Sequence, residues 1–300
     1  MKASLVIRSR DEALRLRLVL ASLESQCDHE ILVVDDGSAD EATADVVNAA
    51  GYRVRYIRHV QSRGRSAAAN AGAQAATGDI LIFLDGDTLA APGMVDAHRA
   101  FHTERPNAMG RGETWHLRGT RFLRDPETGA FWDDQAQRAA ALPPEERERM
   151  RVTRAQVRGD FGSILARAAP GIYPGTGPRR LHDAEMAALR DRPGSSRLWA
   201  AASGSNFSLP RAAFLSAGGF DPALDINEHR DLALRLCHAG LAMGHVPDAY
   251  TIHMTHRQGW RDPLLERGWE AHFPDAPIAE LRAFWQSLGG SGEAVDFFGR

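Results

Sequence analysis

The chain has 300 residues, 43% hydrophobic and 25% charged, with a net charge of −3. Those proportions are ordinary for a globular protein with a substantial core, and the charge offers no footprint for nucleic acid. No apolar run approaches the roughly 20 residues of a membrane-spanning helix, so no transmembrane segment is expected. Lys2 is the only lysine among 36 basic residues. A P-loop nucleotide hydrolase needs a lysine in its Gly-rich loop and a phosphoacceptor receiver domain needs a buried one, so both are excluded. Phosphate must be met here by arginine, backbone N–H groups or a metal ion.

Leu5-Val6-Ile7 is too short for a secretory signal, and Ser4–Arg8 reads as a first buried strand. Asp11 precedes an amphipathic helix over Glu12–Glu24, with Leu14, Leu18 and Leu23 or Val19 on its apolar face. Glu30–Val34 is a second strand, ending in Asp35-Asp36-Gly37-Ser38. A helix over Asp40–Ala50, a strand over Arg53–Arg58 and an alanine-rich helix over Ser66–Ala76 follow. Asp79–Leu84 is a fourth strand, closed by Asp85-Gly86-Asp87. Apolar strands alternating with helices predict an α/β fold whose mostly parallel sheet is covered on both faces. Ligands bind such sheets beyond the C-terminal strand ends, where Arg8-Ser9-Arg10, Asp35-Asp36 and Asp85-Gly86-Asp87 are expected to converge.

Between 106 and 198 the pattern weakens, and only helices over Pro144–Arg158 and Arg180–Arg190 are predicted. This segment reads as an insertion or lid. Order resumes at Leu198-Trp199-Ala200 and Phe207-Ser208-Leu209, followed by a helix over Glu228–His238, capped by Asn227 and stopped by Gly240. Two short strands are predicted at Ala242–Val246 and Ala249–Met254. The tail over 259–300 carries Trp260, Trp269, Phe284 and Trp285 in amphipathic segments. It is expected to pack on the core, with peripheral contact to a membrane as the alternative. Cys27 and Cys237 lie far apart, which fits a reducing cytoplasm without structural disulfides.

Asp85-Gly86-Asp87 after an apolar strand can bring carboxylates to a hard cation, Mg²⁺ or Mn²⁺, leaving other coordination positions for water and diphosphate oxygens. The glycine is expected to permit the tight turn that aims one carboxylate into the crevice. A solvated strand-to-loop turn is the plain alternative. The Asp35-Asp36 pair at a strand end can accept the N3–H of a pyrimidine or ribose hydroxyls, or merely cap the following helix.

Leu5-Val6-Ile7-Arg8-Ser9-Arg10-Asp11-Glu12 and Ile31-Leu32-Val33-Val34-Asp35-Asp36-Gly37-Ser38 resemble the opening of family 2 glycosyltransferases with the GT-A fold. The resemblance continues through Arg63–Gly72 and Thr77–Asp87, and returns in Gly204–Arg211 and Gly218-Gly219-Phe220-Asp221. It implies a Rossmann-like nucleotide-binding half over 1–105, an insertion, lid or acceptor-binding segment over 106–198, a smaller acceptor and catalytic half over 199–258, and a helical tail, all in one continuous domain. It further implies a UDP- or GDP-linked sugar donor, Mn²⁺ or Mg²⁺, and a sugar, lipid-linked or small-molecule acceptor. The expected setting is the cytoplasm, with the inner face of a membrane as a peripheral location.

By the same resemblance Asp36 binds the nucleobase, Arg8 and Arg10 line the nucleotide, and Asp85 and Asp87 form the family's DXD metal motif. Asp87 is the more direct ligand, completed by His253 with His256 in reserve. Relatives that invert the sugar carry Glu-Asp at the start of the helix matching Glu228–Leu236, whereas this chain has Glu228-His229. Either His229 is the catalytic base, or Glu228 serves, or configuration is retained and no base is needed. A plain helix-dipole role for Glu228 and Asp231 competes with all three. Arg63 and Arg65 meet diphosphate or the donor sugar, or are surface arginines. Trp115-His116 and Phe131-Trp132 stack on a sugar ring or belong to the core. The rival functions are a nucleotidyltransferase, for which Lys2 is badly placed, and a non-catalytic sugar-nucleotide-binding relative that has lost its base.

Overall fold

The computed structural model describes residues 1–171, 176–224, 226–257, 277–289 and 293–299. Its first part is an alternation of β1 (Ala3–Ser9), α1 (Ala13–Leu23), β2 (Glu30–Asp35), α2 (Ala42–Asn48), β3 (Arg55–Arg58), α3 (Arg65–Ala75) and β4 (Ile80–Asp85). The four strands pair in parallel in the order β3-β2-β1-β4. Both faces are covered over β1, β2 and β4, which is why these read as continuous apolar runs, while the edge strand β3 is only partly buried. Val6, Leu81 and Phe83 enter one core with the alanines of α3, while Leu5, Ile7, Ile80, Ile82 and Leu84 enter the other with α1.

The alanine richness of α3 has a packing cause. A Cβ on its Gly72 would collide with the Val6 side chain, so small residues are what let this helix lie close on the sheet. In α1 the buried face is Leu16, Leu18, Val19, Leu20 and Leu23, whereas Leu14, expected inside, is exposed.

The chain continues through β5 (Thr88–Ala90), α4 (Met94–Glu104) and β6 (Ala108–Leu117). This last is a ten-residue strand where no strand was predicted, and it lies within the sheet. Its Met109-Gly110-Arg111-Gly112-Glu113 run lacks the apolar continuity of β1 or β4. Two glycines and a buried ion pair of Arg111 with Glu185 take the place of aliphatic packing.

A two-stranded ribbon, β7 (Leu123–Asp125) with β8 (Ala130–Phe131), precedes α5 (Ala136–Ala141), α6 (Pro144–Met150), α7 (Arg154–Gly159) and α8 (Phe161–Leu165). The single helix expected over Pro144–Arg158 is therefore two. The chain is extended at Arg151, and Thr153 restarts it with a reciprocal capping box to Gln156.

Then come β9 (Ala169–Pro170), α9 (Thr176–Asp191), β10 (Phe207–Pro210), α10 (Arg211–Ser216), α11 (Glu228–His238), β11 (Ala242–Met254) and α12 (Ile278–Ser287). β11 is one strand rather than two, with a register irregularity between His245 and Tyr250. Helix α11 begins after Asn227 as expected, but without a side-chain cap bond. The Asn227 amide oxygen instead accepts from Arg230 Nη1 at 3.2 Å. Phe284 and Trp285 of α12 are buried in the core, with the Arg230 guanidinium 4.9 Å from the Trp285 ring. Trp260 and Trp269 lie outside the described residues.

The main sheet runs β3-β2-β1-β4-β10-β6-β11-β5, with β9 paired to β6. β10 is antiparallel to both β4 and β6, and β11 is parallel to β6. The carboxyl ends of β1, β2, β4, β6 and β11 therefore share one edge with the loop that enters β10. No helix among the described residues is long and apolar enough to cross a membrane.

A candidate active site at the carboxyl edge of the sheet

Asp85 and Asp87 straddle the end of β4, but they face different partners. Asp85 Oδ1 accepts from Arg8 Nε at 2.6 Å. Asp87 is buried, with Oδ2 3.1 Å from His253 Nε2 and 3.6 Å from His256 Nε2. One ligand atom from each of Asp87, His253 and His256 lies within 4.8 Å of the others. One carboxylate and two imidazoles converging at that spacing fit a divalent cation. Asp85, expected in this set, is held away from it by Arg8.

Burial opposes charge on Asp87, but His253, His256 and Arg15 hold its carboxyl below the ordinary range. Burial likewise works against a charged His253, and Asp87 overcomes it, raising that imidazole. For His256 burial prevails and its pKa is lowered.

Gly86 stands in the predicted tight turn between β4 and β5. Its φ is not left-handed; the space beside it is filled instead. A Cβ would stand 2.5 Å from Glu12 Oε1 and 2.9 Å from Ser9 Oγ. The sequence presents Glu12 only as a helix-start residue, yet its carboxyl lies against the Asp-Gly-Asp turn. Burial, then Asp87 and Asp85, push its pKa well up and favour the neutral acid. Nothing local in the sequence marks it, because the crowding comes from the turn after β4.

Arg8 does not line an open groove. It is buried, and its guanidinium joins the two halves of the fold: Nε to Asp85, Nη1 to Glu228 Oε1 at 3.0 Å and Nη2 to the Gly204 carbonyl at 3.1 Å. Burial would lower its pKa, but Asp85 and Glu228 raise it above the ordinary arginine value. Glu228 is fully buried, with Arg65 Nη2 3.8 Å from Oε1 and His229 Nδ1 3.5 Å from Oε2. Against the penalty of burial, Arg65, His229 and Arg8 hold its carboxyl well below the ordinary range. His229 is 8% exposed, and burial lowers its pKa, so the ring is neutral near pH 7. Among the described residues neither Glu228 Oε2 nor His229 Nδ1 completes a hydrogen bond. Gly204 packs over the pair, where a Cβ would come within 3.4 Å of His229 Nδ1.

Asp36 anchors the loop into α3. Its carboxylate accepts from the Arg63 and Gly64 N–H groups (both 2.9 Å) and Ser62 Oγ (2.7 Å), and pairs with His59 Nδ1 at 2.7 Å. Burial notwithstanding, these bonds lower its pKa. Arg10 reaches the same loop through Ser62 Oγ at 2.9 Å, and Arg63 is exposed. Asp35 is structural: it accepts from Ser38 N, Ser38 Oγ and the Tyr56 hydroxyl.

Of the proposed stacking residues, Trp132 lies 5.0 Å from the Arg257 guanidinium and Trp115 Nε1 donates to Glu113 at 3.4 Å. His116 packs against His253, Nδ1 to Nδ1 at 3.0 Å. The structure thus gathers Arg8, Asp85, Asp87, His253, Glu228 and His229 along one edge, with the arginines Arg10, Arg63 and Arg65 around the loop into α3.

Residues 4–128 match the family model Glycosyl transferase family 2. An uncharacterized glycosyltransferase of Bacillus subtilis, YfnE, is 36% identical over 120 residues, 38% of this chain and 30% of that protein. A pre-mycofactocin glycosyltransferase of Mycobacterium tuberculosis is 34% identical over 94 residues, 31% of this chain and 19% of that one. The matches thus span less than a third of these curated relatives. Among solved structures, S. aureus TarS 1-349 in complex with UDP-GlcNAc superposes with a TM-score of 0.58 at 13% identity, covering 98% of this chain and 68% of that one. Its complex with UDP gives 0.55 at 12% identity, covering 85% and 61%. The architecture is the GT-A fold, and over residues 4–128 the chain is similar to glycosyl transferase family 2.

Proposed function

We propose that the chain transfers a sugar from a nucleoside-diphosphate sugar to an acceptor hydroxyl, with a divalent cation and inversion at the anomeric carbon. The observation that carries this reading is the convergence of Asp87, His253 and His256 at the edge where parallel strands end, with Arg8 joining the adjacent Asp85 to the Glu228–His229 pair. TarS, a neighbour in fold, is solved with UDP and UDP-GlcNAc, so uridine-linked donors are the first to test.

Asp87, His253 and His256 are the residues that would hold the cation, and two imidazoles in the set favour Mn²⁺ over Mg²⁺. Bound there, it supplies Lewis-acid neutralisation of the departing diphosphate. Arg10, Arg63 and Arg65 supply further positive charge for phosphate. Asp36 faces the nucleobase, which requires the exposed Ser62 hydroxyl to release one of its oxygens.

His229 is the base and Glu228 its orienting carboxylate. Glu228 is fully buried and clamped in its charged form by Arg8, so it neither reaches an acceptor nor takes a proton readily. His229 is neutral and directs Nδ1 toward Glu228, leaving Nε2 as the nitrogen for the acceptor hydroxyl. Glu228 then stabilises the imidazolium as the proton arrives.

The test is release of nucleoside diphosphate from a panel of nucleotide sugars, with and without Mn²⁺, on wild type, Asp87→Ala and His229→Ala. Metal-dependent release that disappears in Asp87→Ala supports the reading. Donor binding without release, even with acceptor extracts, sinks it in favour of a binding protein.

A further inference from the structure

The parallel register of β6 with β11 pairs His116 with His253, so both side chains leave the sheet on the same side. Their rings meet edge to face, centroids 5.0 Å apart, with Nδ1 of one 3.0 Å from Nδ1 of the other. The opposite nitrogen of His253, Nε2, is the one turned to Asp87 Oδ2 at 3.1 Å. His116 itself is 7% exposed and is not one of the three residues of the Asp87 group.

A hydrogen bond between two imidazole nitrogens needs one proton and one lone pair. We infer that His116 is a positioning residue for the cation site: its Nδ1 lone pair accepts the Nδ1–H of His253, leaving Nε2 of His253 free to bind the cation. Without an acceptor at that point, the His253 ring loses the bond that fixes both its proton and its rotation. Outer partners of this kind typically contribute about 10–100-fold in metal affinity. The same register is held two residues earlier on each strand, where Thr114 Oγ1 and Thr251 Oγ1 lie 2.9 Å apart. The inference rests on the metal-site reading above, so its test separates the two.

Mn²⁺ binding to the full chain is measured by titration calorimetry at fixed pH for wild type, Asp87→Ala, His116→Asn and His116→Leu. Asn places an oxygen where His116 carries Nδ1, and Leu places a methyl there with the same branching. The expected result is loss of binding in Asp87→Ala, about 10–100-fold weakening in His116→Leu, and affinity within about 3-fold of wild type in His116→Asn. If Asp87→Ala loses Mn²⁺ but His116→Leu binds as wild type, or Asn fails as badly as Leu, the positioning role is wrong while the metal site stands. A wild type that binds no Mn²⁺, or binding indifferent to Asp87→Ala, overturns both. A measurement needing no variant is the histidine ¹⁵N long-range spectrum of the wild type loaded with diamagnetic Zn²⁺. It should show His253 protonated on Nδ1 and His116 on Nε2, and a His116 proton on Nδ1 refutes the inference.

Discussion

Arg8→Met tests how the two halves of the site are held together. Arg8 is the cation bonded to Asp85 and, across 220 positions of sequence, to the fully buried Glu228. Met keeps most of the volume and removes the charge. Among the described residues it leaves Glu228 with the half-exposed Arg65 at 3.8 Å and His229 at 3.5 Å. Breaking one side of a buried pair destabilises by about 3–5 kcal/mol. For a chain of 300 residues, with an unfolding entropy near 2.1 cal/mol/K per residue, that lowers Tm by about 5–8 °C.

The loss must depend on pH. In wild type the Glu228 pKa lies below its unfolded value, so its stabilisation is present above about pH 4.3 and fades as pH falls through the folded value. In Arg8→Met, burial with less compensation drives that pKa upward. The folded variant then takes up a proton on acidification, and its deficit narrows from pH 8 to pH 5. Urea unfolding at both pH values reads the difference, and Arg8→Met with Glu228→Gln should recover at least half of it at pH 8. A deficit below about 1 kcal/mol, or one that is equal at both pH values and untouched by Glu228→Gln, would refute the reasoning.

His229→Ala should lower kcat by about 10²–10⁴-fold with little change in donor binding, whereas Glu228→Gln should lower it less; the reverse ranking in steady-state assays would make Glu228 the base. Gly86→Ala should destabilise by about 1–3 kcal/mol in denaturant melts, because its Cβ meets the movable end of Glu12. Gly112→Ala should be worse, since its Cβ collides with the Ala249 carbonyl, which is backbone. His98 and His102 are buried around Ser208, and burial lowers both to about 4. Their folded values lie below the unfolded value of about 6.5, so stability should be full above pH 6.5 and fall from there toward pH 4. His98→Gln should flatten that slope in melts at pH 7 and pH 5.

The parallel part of the sheet could be read from the sequence alone. β1, β2 and β4 were legible because a strand buried on both faces is apolar throughout, β3 from the Arg53–Arg58 stretch between two helix patterns, and the helix bounds over Glu228–His238 from Asn227 and Gly240. β6 escaped because its Met109–Glu113 stretch is held by glycine contacts and an Arg111–Glu185 pair, neither of which has a local periodicity.

The chemistry divides in the same way. Asp85-Gly86-Asp87 could be read as a cation motif with Asp87 foremost, but the separation of Asp85 from the histidines depended on Arg8, which pairs with Asp85 and leaves Asp87 beside His253 and His256. The roles of Glu12 beneath Gly86, of His116 behind His253 and of Arg8 against Glu228 come from strand register and the crossing of distant loops. Hydrophobic periodicity and capping act over a few residues and are written into the chain. The pairing of groups 77 to 220 positions apart is set only when the sheet closes and burial forces each charge to find a partner.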